Sequence, residues 1–156
     1  MDIQPADLPQ LPELPRRARP IVGVGAGAVV RDAHLPAYRL AGFEVACVHD
    51  PALDRARALA RDFGIPRVAP TLAEAVASAP PGAVFDVAVP ARAIPSVLRE
   101  LPDGAPVLIQ KPLGEDLAQA RAIVAICRRK RLLAAVNFQL RFAPCLVAAR
   151  SLVERG

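Results

Sequence analysis

A cluster of glycines behind a short apolar run is the feature that most limits how this chain can fold. The run Ile21–Val24 leads into Gly25 and Gly27, and the segment that follows has helical character. A strand, a glycine turn and a helix N-terminus together hold a pyrophosphate, because glycine lets the backbone approach the anion and the helix start offers free N–H groups. The stretch therefore predicts a dinucleotide site. Its phosphate contacts are expected from Gly25, Gly27, Ala28, Val29 and Val30.

The register of this turn has two interpretations, because a strict G-x-G-x-x-G is absent. One uses Gly23, Gly25 and Ala28, and the other uses Gly25, Gly27 and Val30. We favour the second, because it leaves the whole apolar run as a strand before the turn. The third glycine of the motif serves helix–strand packing, so a larger residue there leaves the phosphate site intact. A glycine-rich turn that binds no ligand remains the alternative, since a glycine motif alone is a weak signal.

The alternation of the remaining segments predicts the fold class. At 156 residues the chain is long enough for one core. Five or six short Val- and Ile-rich runs alternate with amphipathic, Arg-rich runs. We therefore expect a single α/β domain with a doubly wound, mostly parallel sheet. Residues 1–19 are predicted to be a flexible Pro-rich arm, residues 20–142 the dinucleotide-binding domain, and residues 143–156 the start of a linker helix.

Charge and cysteine content exclude several classes of function. Lys and Arg number 20 against 15 Asp and Glu, but the arginines are spread along predicted helices without aromatic residues between them. This pattern favours solvated helix faces over a nucleic-acid partner. Three distant cysteines without a C-x-x-C argue against a disulfide framework or a metal site. With no signal peptide and no membrane-spanning run, we expect a cytoplasmic protein without a membrane partner.

Ligands of parallel sheets bind beyond the carboxyl ends of the strands. Asp50 stands at the end of the second predicted strand. A carboxylate there can accept hydrogen bonds from ribose hydroxyls and would repel a 2′-phosphate, which favours NAD over NADP. Asp50 could instead only cap the following helix, and both roles can hold together. Val89 and Pro90 end the fourth strand and are expected at the same site.

Three further candidates follow the last two strands. Gln110 and Lys111 end the fifth strand, and Arg141 follows the sixth. The ammonium of Lys111 could point at a nicotinamide ring and at a substrate oxygen. The alternative, which the sequence supports equally well, is that Lys111 is a solvated lysine in a loop.

In four places the chain resembles the family of glucose-fructose oxidoreductase, inositol dehydrogenase and rhizopine-catabolism proteins, Gfo/Idh/MocA. The glycine turn followed by HLPA at 34–37 resembles the opening of that family. Asp50 matches its ribose-binding acid, QKP at 110–112 resembles its E-K-P motif, and VNFQLRFAP at 136–144 resembles a later segment with an arginine. The resemblance extends over residues 20–156 and implies a Rossmann domain.

The resemblance implies an NAD(P)-dependent oxidoreductase that acts on a sugar, a polyol or a related alcohol. Lys111 would be the catalytic residue, beside the nicotinamide, where it helps to bind substrate and assists proton transfer. Gln110 replaces the glutamate of the motif and removes a charge next to the lysine. Ile94 stands where a histidine is frequent and Ala91 where an asparagine is common, so polar contacts near the cofactor are lost.

Members of this family carry a second domain that shapes the substrate pocket and supplies a histidine within a D-x-x-x-H pattern. The chain ends at Gly156 without that pattern. We therefore expect a fragment, or a stand-alone cofactor-binding domain, that is inactive by itself and that forms homo-oligomers only when full length. Two alternatives stay open: a nucleotide-binding module without turnover, and an S-adenosylmethionine-dependent methyltransferase, whose glycine loop is similar.

Overall fold

The computed structural model describes residues 8–11, 15 and 17–155. The chain divides into two compact units, of which Arg17–Asn137 is one, and Met1–Arg16 with Phe138–Gly156 is the other. Most of the arm predicted for residues 1–19 lies outside the described residues. Within the described ranges, no helix is both long enough and apolar enough to cross a membrane.

The larger unit is built on a six-stranded sheet in the order β3-β2-β1-β4-β5-β6. Every neighbouring pair of strands is parallel. The chain therefore starts in the middle, winds outwards to one edge, and returns to wind outwards to the other, which confirms the predicted doubly wound α/β fold. The strands are β1 Ile21–Val24, β2 Val45–His49, β3 Val68–Ala69, β4 Val84–Val87, β5 Pro106–Gln110 and β6 Leu133–Asn137.

Helices connect these strands and cover both faces of the sheet. Adjacent residues of β2 belong to different cores: Cys47 shares a buried cluster with Leu98 and Ile123, whereas Val48 shares one with Leu35 and Leu59. Successive strand residues point to opposite faces, so the two clusters are the two sides of the sheet. The helices of this unit are α1 Leu35–Ala41, α2 Leu53–Phe63, α3 Leu72–Ala77, α4 Ile94–Glu100 and α5 Leu117–Arg129.

The smaller unit contains a 3-10 turn, Gln139–Phe142, and α6, Pro144–Arg155. None of its described residues is buried. The linker helix predicted from residue 143 coincides with α6, and the role of that helix as a linker stays a prediction.

A five-residue π-helix, Val30–His34, precedes α1 and runs into it without a break. A helix bends or restarts at a proline such as Pro36, because proline lacks an N–H group and its ring clashes with the carbonyl four residues earlier. The wider π turn lies directly before Pro36, which occupies the first turn of α1. The position of His34 in the fold depends on this turn.

Candidate functional site

The glycine turn begins where β1 ends, and its first glycine is fixed by its neighbours. Gly25 has φ +113°, and a Cβ there would lie 2.3 Å from the carbonyl oxygen of Ala88. Its N–H donates to the carbonyl of His49 at 2.8 Å. Gly25 is therefore held between the residues that follow β4 and the end of β2, where only glycine fits.

The second glycine faces open space. A Cβ at Gly27 would meet no atom within 4 Å. The N–H groups of Gly27, Ala28 and Val29 come before the first helical hydrogen bonds, in which Val30 and Arg31 donate to the carbonyl of Gly27. Three backbone donors thus stand at a helix start beside a residue without a side chain, which is the arrangement that binds anions.

Val30 differs from its two predecessors in this turn. Its side chain is buried in the core beneath the first helix, and its N–H donates to Gly27 at 3.1 Å. Both groups of Val30 thus have partners inside the protein, and the cofactor contact expected from this residue stays a prediction.

Asp50 joins the ends of β1 and β2. One carboxylate oxygen accepts the N–H of Ala26 in the glycine turn at 2.8 Å, and the other accepts the N–H of Ala52 at 2.8 Å. The N-cap residue of α2 is Ala52, which makes no side-chain cap, so Asp50 braces the turn rather than capping the helix. Each oxygen of a carboxylate has a second lone pair, and both remain available to hydroxyl groups.

A cleft of about 610 Å³ opens at this edge of the sheet. It lies over the ends of β1 and β4, the point where the winding of the sheet reverses and where ligands of such sheets bind. Its volume is that of a small-molecule site. Among its lining residues are the predicted site residues Gly25, Gly27, Asp50, Val89 and Pro90 and the charged residues Arg55 and Glu100.

Lys111 follows β5 at the same carboxyl edge but does not line this cleft. Its side chain is exposed, and no described residue forms a hydrogen bond or an ion pair with its ammonium group. The other lysine of the chain, Lys130, is paired with Asp103 at 2.9 Å. Among the described residues, the ammonium group of Lys111 therefore has no partner and is free to contact a ligand.

A buried polar network lies behind Lys111. His34 Nδ1 is 2.7 Å from a carboxylate oxygen of Asp86, a residue of β4. The other ring nitrogen of His34 is 3.1 Å from the side-chain nitrogen of Gln110 and 3.3 Å from that of Asn137. Tyr38 donates its hydroxyl hydrogen to the same oxygen of Asp86 at 2.9 Å. The first helix is thereby tied to β4, β5 and β6.

Burial governs the chemistry of this network. Asp86 is 2% exposed and His34 is 6% exposed, and the second oxygen of Asp86 has no hydrogen-bond partner among the described residues. Burial raises the pKa of the Tyr38 hydroxyl well above its usual range, and the charge of Asp86 and the hydrogen bond to it raise that pKa further. The phenol therefore stays protonated and acts as a donor.

Sequence reasoning missed this network, although one signal was present. Asp86 is a single acid inside the apolar run that forms β4, and a buried carboxylate requires donors. The donors themselves lie on other segments of the chain, so only the topology identifies them.

Two residues that differ from the family pattern, Ile94 and Ala91, and the predicted site residue Arg141 lie outside this network. Ile94 is 1% exposed and belongs to the core beneath α4, so it packs instead of reaching toward a ligand. Ala91 is partly buried against the same core. Arg141 belongs to the smaller unit, in the 3-10 turn, and its expected cofactor contact stays a prediction.

The chain matches a family described as "Oxidoreductase family, NAD-binding Rossmann fold" over residues 20–138. It is 34% identical to YceM of Salmonella typhimurium over 122 residues, which are 78% of this chain and 39% of that protein. It is 32% identical to the D-apiose dehydrogenase of Paraburkholderia graminis over 135 residues, which are 85% of this chain and 36% of that enzyme. The chain thus spans well under half the length of these relatives.

Structural comparison gives the same result. A crystal structure of an oxidoreductase from Thermotoga maritima superposes with a TM-score of 0.76 at 25% identity, covering 90% of this chain and 44% of the other. These relatives do not favour the methyltransferase alternative or a module without turnover. The family match, the sheet order and the glycine turn agree, and the chain belongs to the Gfo/Idh/MocA oxidoreductase family with its NAD-binding Rossmann fold.

Proposed function

We propose that this chain binds a nicotinamide dinucleotide across the carboxyl edge of its sheet, as the cofactor-binding part of an oxidoreductase. The observation that carries the proposal is the open position at Gly27, with three backbone donors at a helix start and the Asp50 carboxylate in the same cleft. A pyrophosphate needs the donors, and an adenosine ribose needs the carboxylate.

The residues present fit such a cofactor. Gly27, Ala28 and Val29 would hold the pyrophosphate through their N–H groups, and Asp50 would hold the ribose hydroxyls. Gly25, Val89 and Pro90 would form the apolar and backbone walls of the cleft. A bound nicotinamide supplies hydride transfer, and the protein supplies its position and the surrounding electrostatics.

We assign NAD rather than NADP to this site because of Asp50. Its two oxygens already accept backbone N–H groups, so the carboxylate cannot turn away from the cleft without breaking the turn. A 2′-phosphate would stand against its negative charge. Arg55 lines the same cleft and could attract a phosphate. The preference for NAD over NADP therefore requires that repulsion by Asp50 outweigh attraction by Arg55.

The substrate class that we propose is a sugar, a polyol or a related alcohol. The name of the D-apiose dehydrogenase supports it. Lys111 is the side chain that we assign to the reaction, because its ammonium group has no partner in the described chain and extends from the strand next to β4. It would bind the substrate oxygen and assist proton transfer there.

A fluorescence titration with NADH tests cofactor binding. We expect saturable binding, at least about tenfold tighter for NADH than for NADPH, which is a difference of about 1.4 kcal/mol. Asp50→Asn should reduce that ratio. Asp54→Asn is the matched control, because Asp54 is an exposed acid in the first turn of α2, four residues after Asp50, and does not line the cleft. Absence of saturable binding at millimolar NADH by a folded chain would refute the proposal.

Lysine labelling tests the role of Lys111. The chain has two lysines, so peptide mapping after reaction with an amine reagent reads each separately. We expect NAD to slow the labelling of Lys111 and to leave that of Lys130 unchanged, since Lys130 is paired with Asp103 away from the cleft. Equal protection of both lysines, or of neither, would remove Lys111 from the site.

A further inference from the structure

We infer that Gln110 is a positioning residue that holds His34 in its neutral form, with the proton on Nδ1, and holds the backbone of Lys111 at the same time. The presence of glutamine instead of glutamate before Lys111 would then be matched by the loss of one proton from His34, so that the net charge behind Lys111 is unchanged. The inference follows from which atoms can donate and which can accept.

The orientation of the Gln110 amide is set by Lys111. The backbone N–H of Lys111 donates to the side-chain oxygen of Gln110 at 2.8 Å. A backbone N–H has no acceptor function, so the amide nitrogen cannot take that place. The NH₂ group of Gln110 therefore faces the ring of His34, 3.1 Å from Nε2.

The orientation of the amide in turn fixes the tautomer of His34. An NH₂ group donates, so Nε2 must be the nitrogen without hydrogen. The proton of a neutral imidazole is then on Nδ1, where it points at Asp86 at 2.7 Å. The side-chain nitrogen of Asn137, at 3.3 Å from Nε2, is a second donor to the same lone pair. This one arrangement gives every hydrogen bond of His34 a donor and an acceptor.

The charged and titratable groups around His34 are consistent with a neutral ring that carries its proton on Nδ1. Asp86 faces the ring from β4, and Tyr38 faces Asp86 from the first helix. Among the described residues, β5 and β6 bring two amides to the ring, those of Gln110 and Asn137. An imidazolium would place its second ring N–H, on Nε2, against two NH₂ groups, whereas the carboxylate of Asp86 lies on the Nδ1 side of the ring.

A glutamate at position 110 would reverse this logic. Its carboxylate could still accept the Lys111 N–H but could not donate to His34, so the ring would have to donate from Nε2 as well as from Nδ1. The pair would change from neutral glutamine and neutral histidine to glutamate and imidazolium, with the same net charge. Under the proposed function, on which this consequence rests, Lys111 keeps an electrostatic environment close to that of the E-K-P motif.

The tautomer can be measured without any cofactor, so its outcome is independent of NADH binding. The chain has two histidines, His34 and His49, and a long-range proton–nitrogen correlation spectrum separates the two nitrogens of each ring. His49→Asn identifies the signals of His34. At neutral pH we expect a protonated Nδ1 and a bare Nε2. An imidazolium, or a proton on Nε2, in the unmodified chain would overturn the inference.

Gln110→Glu gives the second test. We expect the Nε2 resonance of His34 to move upfield to the position of a protonated nitrogen at the same pH. Gln119→Glu is the matched control, because Gln119 also accepts a backbone N–H, that of Glu115 at 2.7 Å, without contacting His34. Its spectrum should show unchanged His34 signals. A Gln110→Glu chain that folds but keeps a neutral His34 would contradict the role of Gln110.

Discussion

Gly25 and Gly27 belong to one turn but are subject to different constraints. At Gly25 the constraint is internal, since a side chain would collide with the backbone of Ala88 and φ is positive. At Gly27, a Cβ atom would meet no atom of the protein within 4 Å. A glycine whose own fold does not require it is best explained by something that approaches it from outside.

Substitution by alanine separates these two constraints. Gly25→Ala should lower the free energy of unfolding by at least about 2 kcal/mol, as expected for a strained backbone position. Gly27→Ala should change it by less than about 1 kcal/mol and should weaken NADH binding. Urea unfolding and NADH titration of both variants measure this. Equal stability losses would mean that the space around Gly27 is not open.

Tyr38 gives a prediction about pH. Because burial and Asp86 raise the pKa of its hydroxyl, the folded chain keeps the proton where the unfolded chain, with an ordinary pKa of about 10, loses it. Its contribution to stability is complete below about pH 10 and is lost as the pH rises further, by about 1.4 kcal/mol per pH unit.

Two measurements check this prediction. Tyr38 is the only tyrosine and the chain has no tryptophan, so phenolate absorbance reports this group alone and should appear only together with unfolding. Tyr38→Phe should lower stability at neutral pH by about 1–3 kcal/mol, because Asp86 loses a donor, and should remove this part of the alkaline decline. Phenolate formation near pH 10 in a chain that stays folded would contradict the hydrogen bond from Tyr38 to Asp86.

At the scale of elements, the first turn of α5 depends on one side chain. Asp116 is the N-cap residue and accepts the N–H of Gln119 at 2.7 Å. Asp116→Ala should therefore cost about 1 kcal/mol in thermal or urea unfolding. Glu115→Ala is the control, since only the backbone N–H of Glu115 takes part in a contact. A loss as large in the control would mean that negative charge, rather than the cap, stabilises this end.

The strands and the edge they share could be predicted from the sequence, because the signals for them lie within short segments of the chain. Short apolar runs bounded by Gly, Pro and polar residues predict the strands, and parallel connections bring their carboxyl ends to one edge. The same reasoning predicts that Asp50, Pro90 and Lys111 lie at that edge. The sequence signals for helix ends are local as well. Helix α2, for example, ends before Gly64, which has a left-handed conformation.

What could not be predicted depends on neighbours that are distant in sequence. His34 meets Asp86, Gln110 and Asn137 only because β4, β5 and β6 are adjacent in the sheet. In α5 the inward residues are Ile123 and Ile126, while Leu117 is 66% exposed. The helical pattern gives the width of an apolar face, but the rotation of the helix is set by the strand on which it packs.

At the scale of the whole molecule, the core lies entirely in one unit. Every buried residue of the described chain falls within Arg17–Asn137, and none of the described residues beyond Asn137 is buried. Hydrophobic burial is the main source of stability, so the two units should differ sharply in what they contribute. The same division separates Arg141 from every other predicted site residue.

A chain ending at Asn137 tests both points. We expect its free energy of unfolding to stay within about 1 kcal/mol of that of the full chain, because none of the buried core residues of the described chain is removed. If Arg141 contacts the cofactor as predicted, NADH affinity should fall by a similar factor in this chain and in full-length Arg141→Ala. If affinity is unchanged in both, the site is complete within Arg17–Asn137 and Arg141 has no part in it. If the shortened chain unfolds much more easily, residues 138–156 stabilise the sheet in a way that burial does not indicate.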